Sequence, residues 1–316
     1  MLDLIIYNLQ LNGFYKDTIP ILFTNKSFYN NHTLWSMIVN NRRNVTPLMC
    51  AAYNINYDRI KFLLDSGANP NMIDNSNQSA LLYTLTQIKE IPKKCSHCES
   101  CNLKITNIIK IITELCKYNA NLNIYTELND NIVMIATRLC FTEAVKIFCD
   151  YDFDINHKNI NGKTAMSLAI ENNCPIISYY LWKKGGDINS IDDKKHTFLM
   201  TLASNYNNSV TTDMIEDVLK NKPDINALDN DHADALLHAC MGSSLMIVEL
   251  LMKYRADVHN ALVYFIFKNN VEYINILCTS NHVINYNAII KYARQLKYKD
   301  IEKLLIKKSN LPPTHQ

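Results

Sequence analysis

Glycine and proline are scarce in this chain, with 6 and 8 residues among 316. That scarcity excludes collagen-like and Pro/Gly-rich low-complexity architectures. No glycine-rich loop of the kind that cradles phosphates follows a strand pattern. Neither sign of charge is in excess: 32 Lys and Arg face 30 Asp and Glu, for a net charge of +2. Interspersed charge of this kind leaves no electrostatic footprint for DNA or RNA. Arg42-Arg43, Lys93-Lys94 and Lys307-Lys308 are short basic stretches that read as solvated faces. Long apolar runs are missing as well. Leu262 to Phe267 falls far short of the ~18 residues a membrane span needs. Met1 to Tyr7 has no basic n-region and no small-residue cleavage site, so no secretory signal is expected.

The ten cysteines are scattered. Cys50, Cys116, Cys149, Cys240 and Cys278 fall at or beside apolar positions, where a free thiol behaves as a small hydrophobe. A reduced, intracellular and cytoplasmic setting is therefore expected. Asparagine is the abundant residue, at roughly 40 copies, far above ordinary usage. Isoleucine, lysine and tyrosine are also frequent, and these types share AT-rich codons.

A repeated unit organises most of the chain. Its best copy runs Thr46-Pro47-Leu48-Met49-Cys50-Ala51-Ala52, then Leu63-Leu64-Asp65-Ser66-Gly67-Ala68-Asn69-Pro70-Asn71. Two anchors carry the register. An asparagine closes units at Asn71, Asn123, Asn156, Asn189, Asn226 and Asn285, with His259 in one place. First helices are predicted to start at Thr46, Ser79, Asn131, Thr164, Thr197, Asp234, Asn260 and Asn287. The regular steps are ~33 residues. Asn71 to Asn123 is longer by roughly 19 and Asn189 to Asn226 by about 4, while His259 to Asn285 is shorter by about 7.

Each unit has a local logic. A hydroxyl such as that of Thr46 accepts from an orphan N–H at a helix start. Pro47 sits at the first helical position, where its missing donor costs nothing. Ala51 and Ala52 let two helices approach closely, and Ile60, Leu63 and Leu64 share one face of a second helix. Gly67 and Gly185 are suited to the left-handed residue that ends it. Asn119, Asp152 and Asn281 take that place elsewhere, and Arg255 does so at a predicted cost in strain.

These strings and their period resemble ankyrin repeats, and the Asn, Ile, Lys and Tyr richness resembles the diverged ankyrin proteins of large DNA viruses. The resemblance implies an all-α ankyrin-repeat solenoid of about seven or eight helix-turn-helix units, with divergent capping ends. The family's histidine after Thr-Pro-Leu is absent: Met49, Met134, Ser167, Met200 and Leu237 occupy it. Thin polar ties between repeats are expected for that reason, with nearest-neighbour packing carrying the stability. The organisation expected is a capping segment at 1–40, the repeat array at 41–310 and a flexible tail at 311–316.

The resemblance further implies a non-enzymatic scaffold that binds a partner protein on its concave face, without membrane or nucleic acid, as a monomer. Mapped onto this sequence, the finger tips supply Arg43, Asn75, Ser76, Glu127, Asn161, Asp193, Lys194, Asn230 and Asp231. The first helices add Tyr53, Arg138 and Glu171. Tyr and Arg are types enriched at binding hot spots. The alternative is a substrate-recruiting adaptor for a ubiquitin ligase, with residues 1–40 as an F-box-like docking arm that Ile19-Pro20 and Trp35 only faintly echo.

One candidate metal site lies in the insertion at about 88–106. Cys95, Cys98 and Cys101 stand at successive i, i+3 spacing beside His97, as in a zinc knuckle, and thiolates are strong zinc ligands. The competing reading is a plain loop with solvent-facing thiols. No other cofactor is expected. His238 stands near Cys240, but Ala239 between them fills a core position, and the pair reads as part of a packed helix rather than a nucleophile with its base. Asp192-Asp193 lies in a predicted finger turn, where short acidic residues support their own backbone.

Overall fold

The computed structural model describes residues 45–90, 99–205, 210–242, 244–279 and 284–309. The expected cap at 1–40, Arg43, Cys95, His97, Cys98, Asn281 and the expected tail at 311–316 lie outside the described residues. The chain divides between Leu168 and Ala169 into two compact units. Among the described residues the regular elements are helices, with isolated bridges pairing Ile73 with Ser79 and Ile191 with Thr197.

The first unit holds α1 (Pro47–Tyr53), α2 (Tyr57–Asp65), α3 (Ala80–Thr86), α4 (Glu99–Lys117), α5 (Ile132–Arg138), α6 (Thr142–Cys149) and the start of α7 (Ala165–Glu171). The second holds the end of α7, then α8 (Pro175–Lys183), α9 (Phe198–Ser204), α10 (Thr212–Lys220), α11 (Ala235–Met241) and α12 (Leu245–Lys253). It continues through α13 (His259–Phe267), α14 (Val271–Leu277), α15 (Tyr286–Gln295) and α16 (Lys299–Ser309). Helices pair as hairpins, and equivalent helices of successive repeats stack: α1 on α3, α3 on α5, and α9 on α11.

The apolar spacing sets these contacts. Ile60, Leu63 and Leu64 of α2 are buried, as are Ala51 and Ala52 of α1. Helix starts follow the sequence closely. Thr46, Ser79, Asn131, Thr197 and Asp234 each accept from the backbone N–H three residues on. Thr164 accepts from Ser167 N–H in the same way at 3.2 Å. Where the family histidine is missing at Met49 and Met200, the thioether sulfur accepts from the N–H of Thr46 and Thr197, both at 3.3 Å.

Two predicted starts are displaced. α13 begins at His259 and follows Val258, whereas Asn260 donates to Asp234 Oδ2 at 3.2 Å. α15 begins at Tyr286 because Asn285, read as a closing residue, accepts from Ala288 N–H and caps the helix instead of Asn287.

Among the residues that end second helices, Gly67, Asn119 and Gly185 are left-handed as expected, and so is Arg255 at φ 66°. Lys222 at φ 54° joins them. Asp152 does not: the chain leaves α6 through tight turns from Asp150 N–H to Ile147 C=O and Tyr151 N–H to Phe148 C=O, so no left-handed reversal is needed there.

The insertion is not simply a loop. Its described C-terminal part, from Glu99, forms the opening turns of the 19-residue α4. Ile108, Ile111, Ile112 and Leu115 are buried at helical spacing, and α4 packs on α2, α3 and α6. Cys101 is buried in the first turn of α4. Cys50, Cys116, Cys240 and Cys278 carry free thiols that burial pushes up to about 11 or 12. Neither Cys140 nor Cys174 is among the free thiols, so the reduced reading drawn from the other cysteines does not extend to them.

Polar ties between repeats are also richer than expected. The closing asparagines make them. Asn71 Oδ1 accepts from Asn121 N–H at 2.6 Å and its Nδ2 donates to Asn119 C=O at 3.0 Å. Asn123, Asn189 and Asn226 accept from the N–H of Asp154, Asp224 and Asp257 at 3.2, 3.0 and 2.8 Å. The lost histidine removed one kind of tie, and an amide that satisfies backbone donors of the next repeat supplies another.

Candidate partner-binding grooves

The finger tips are held by short polar side chains that bond to their own backbone. Asp74 Oδ1 accepts from the N–H of Ser76 and Gln78, Asp192 Oδ1 from Lys194 and His196, and Asp229 Oδ1 from Asp231 and Ala233. Asn159 does the same for Asn161 and Lys163. These Asx turns fix which residues face outward.

Every described residue of the predicted set is exposed: Tyr53, Asn75, Ser76, Glu127, Arg138, Asn161, Glu171, Asp193, Lys194, Asn230 and Asp231. Six of them gather in two grooves. In the first unit Ser76, Glu127 and Arg138 line a groove of about 600 Å³. In the second, Glu171, Asp193 and Lys194 line one of about 590 Å³. Tyr53, Asn75, Asn161, Asn230 and Asp231 stand outside both. Tyr53 packs edge-on against Tyr83 at 6.3 Å between ring centroids. Asn230 is tied to the preceding finger, its N–H donating to Lys194 C=O at 2.9 Å.

Apart from His238, which the sequence marks only for its place near Cys240, the groove floors are made by residues that the sequence pattern does not single out. Leu82, Thr86, Ile135 and Leu139 line the first groove, at four-residue spacings on two first helices. His196, Thr201, Ser204 and His238 line the second. The available signal for Leu82 with Thr86 and for Ile135 with Leu139 is the i, i+4 pair, which shares one helix face.

Buried carboxylates organise both grooves. In the first, Arg138 Nε donates to Asp130 Oδ2 at 2.9 Å, and Asn159 Nδ2 donates to Asp130 Oδ1 at 2.7 Å. In the second, Asp229 Oδ2 lies 2.8 Å from His238 Nε2 and 3.5 Å from His196 Nε2. Burial pushes the Asp229 carboxyl up, but the N–H groups of Ala233 and Asp231 and the His238 imidazole outweigh it and hold the group below its ordinary range. Asp234, at the start of α11, shifts upward, chiefly through burial. His238 sits on a packed helix as expected, and the Cys240 thiol, pushed up to about 12 by burial, is no activated nucleophile.

The architecture has relatives. A model for ankyrin repeats in three copies matches residues 100–192 and 171–260, and a single ankyrin repeat model matches 43–75. A putative ankyrin repeat protein of Acanthamoeba polyphaga mimivirus, L86, is 26% identical over 46% of this chain and 28% of its own length. Another from Fowlpox virus, FPV031, is 30% identical over 40% of this chain and 37% of its own. The chain thus spans well under half the length of either relative. The crystal structure of EF0377, an ankyrin repeat protein, superposes with a TM-score of 0.47 at 20% identity, covering 66% of this chain and 97% of that one. Among the described residues no helix is long and apolar enough to cross a membrane. With the family models matching more than half of its residues, this chain belongs to the ankyrin repeat proteins.

Proposed function

We propose that the chain is a non-enzymatic scaffold that takes a partner protein against its finger tips and the exposed faces of its first helices. Ankyrin repeats generally mediate protein–protein interaction. The observation that carries the reading here is the gathering of exposed Ser76, Glu127 and Arg138 in one groove and Glu171, Asp193 and Lys194 in the other. Each groove combines apolar lining, Leu82, Ile135 and Leu139 in the first and Ile170 and Met200 in the second, with polar and charged side chains, the composition of a recognition surface. The mixed charge of the rims suits a protein surface better than a polyanion.

The test is a triple variant, Tyr53→Ala, Arg138→Gln and Glu171→Ala, applied to a partner captured from the native cell. Arg138→Gln keeps a donor near Asp130, so the fold should persist, and far-UV circular dichroism checks that. Binding should fall at least tenfold. Unchanged affinity in a folded variant would place the partner on another face.

A further inference from the structure

We propose that His196, Asp229 and His238 form a binding site for a zinc-class divalent cation on the floor of the second unit's groove. The three come from separate places in the sequence. His196 stands at the base of one finger, Asp229 opens the turn of the next, and His238 lies on α11. One ligand atom from each lies within 4.8 Å of the others. The two imidazoles meet edge to face with centroids 5.6 Å apart.

The spacing suits a small ion. Tetrahedral zinc with bonds of ~2.0–2.1 Å to nitrogen and oxygen holds its ligand atoms ~3.3 Å apart. Asp229 Oδ2 already stands 3.5 Å from His196 Nε2, and its 2.8 Å approach to His238 Nε2 must open by only about half an ångström. The Asp229 carboxylate is fixed in place by its own turn. Its Oδ1 accepts from Asp231 and Ala233 N–H, both at 2.8 Å, which leaves Oδ2 facing the imidazoles.

A second carboxylate orients one ligand. Asp192 Oδ2 lies 3.1 Å from His196 Nδ1 and accepts its N–H. A carboxylate behind a histidine that ligates through its other nitrogen is the usual support of a metal-bound imidazole. Two imidazoles and one carboxylate select zinc-like ions over magnesium or calcium. His196 and His238 line the groove together with Thr201 and Ser204, so the groove is the side from which a fourth ligand would come. That fourth position belongs to water or to a donor brought by a bound molecule.

The test uses the full chain carrying Cys95→Ser and Cys98→Ser, stripped with chelator, so that the cysteine insertion contributes nothing. Zinc is titrated by calorimetry and cobalt by absorption spectroscopy. One zinc should bind, with a tetrahedral cobalt spectrum lacking thiolate charge-transfer bands. His238→Gln and Asp229→Asn should each weaken binding at least tenfold. Asp229→Asn retains the Oδ1 acceptor that holds the turn, and the melting temperature without metal checks its fold. Absence of stoichiometric zinc binding, or binding that both variants leave intact, would overturn the site and reduce the cluster to a hydrogen-bonded brace.

Discussion

In the first unit, Asp74 closes its finger turn through Oδ1 and receives the Tyr83 hydroxyl on Oδ2 at 2.8 Å. In the second, Asp229 closes an equivalent turn through Oδ1 and meets His238 on Oδ2, also at 2.8 Å. The helix residue lies nine positions after the aspartate in both. The same brace therefore joins finger to first helix, and only the tip of one side chain differs. A phenol hydroxyl donates to Asp74 Oδ2. An imidazole leaves a second basic nitrogen and brings a neighbour, His196, to the same oxygen. The brace is shared, and the ion site proposed for the second unit needs both a histidine at the place of Tyr83 and the neighbouring His196.

The largest effect expected from this comparison is on stability. Asp229→Ala strips an acceptor from two backbone N–H groups and leaves two imidazoles without their carboxylate. Burying donors without partners costs about 1–3 kcal/mol apiece, so a loss of roughly 3 kcal/mol in urea unfolding is expected. Asp74→Ala loses the same two backbone bonds and one phenol, for about 2 kcal/mol. If Asp74→Ala proved the costlier change, the brace in the second unit would be the weaker one, and the reading of the two fingers would have to be exchanged.

The ties between repeats give the next step down. Asn71 both donates and accepts across its junction, whereas Asn226 accepts once. Asn71→Ala should cost about 1–2 kcal/mol and Asn226→Ala about 1 kcal/mol, read from the midpoints of urea melts. Equal losses would show that one bond carries each junction.

These asparagines also show what is legible in the sequence. Their recurrence sets the register, so helix order, caps and the exposed finger tips follow from period and residue type. Their side-chain bonds do not follow, because an amide that reaches a backbone N–H in the next repeat depends on how closely the repeats stack. The groove floors escape for a similar reason. His196 and His238 are 42 positions apart, and nothing local in either neighbourhood says that their rings meet. Asn260 and Asn287 mislead because the short step before them lacks a finger to fix the phase, so the neighbours Val258 and Asn285 begin those helices. The insertion hides its helix because the cysteine spacing from Cys95 to Cys101 overlaps the first turn of α4, ahead of the buried stripe of Ile108, Ile111, Ile112 and Leu115.

Acidity separates two carboxyls only five positions apart. Asp229 is held below the ordinary 3.8 when folded, so the stability it adds is present above that value and is lost as pH falls through its lower folded value. Asp234 is raised above 3.8, so its contribution is complete below that value and declines as pH rises through the window up to its folded value. Asp229→Asn should therefore flatten the acid limb of the stability profile, and Asp234→Asn should remove a loss of stability at higher pH while keeping an acceptor for Leu237 N–H. Parallel shifts in the two variants would mean that the residues titrate as one unit.

The smallest effect tests the buried hydroxyls of the first helices, again across the two units. Thr84 in the first unit donates to Ala80 C=O at 2.9 Å, and Thr201 in the second donates to Thr197 C=O at 3.2 Å. Thr137, also in the first unit and fully buried, has no partner for its Oγ1. Valine has nearly the shape of threonine, so each substitution exchanges a hydroxyl for a methyl with little change in volume. Thr84→Val and Thr201→Val should each cost about 0.5–1 kcal/mol, the net worth of an ordinary buried bond. Thr137→Val should cost nothing and should gain up to about 1 kcal/mol, since an unpaired hydroxyl gives way to a methyl that fills the same space. A clear loss on Thr137→Val would reveal a bond to a buried water. The first unit's helix face would then be as fully satisfied as the second's, and the difference between the two units would rest on their fingers alone.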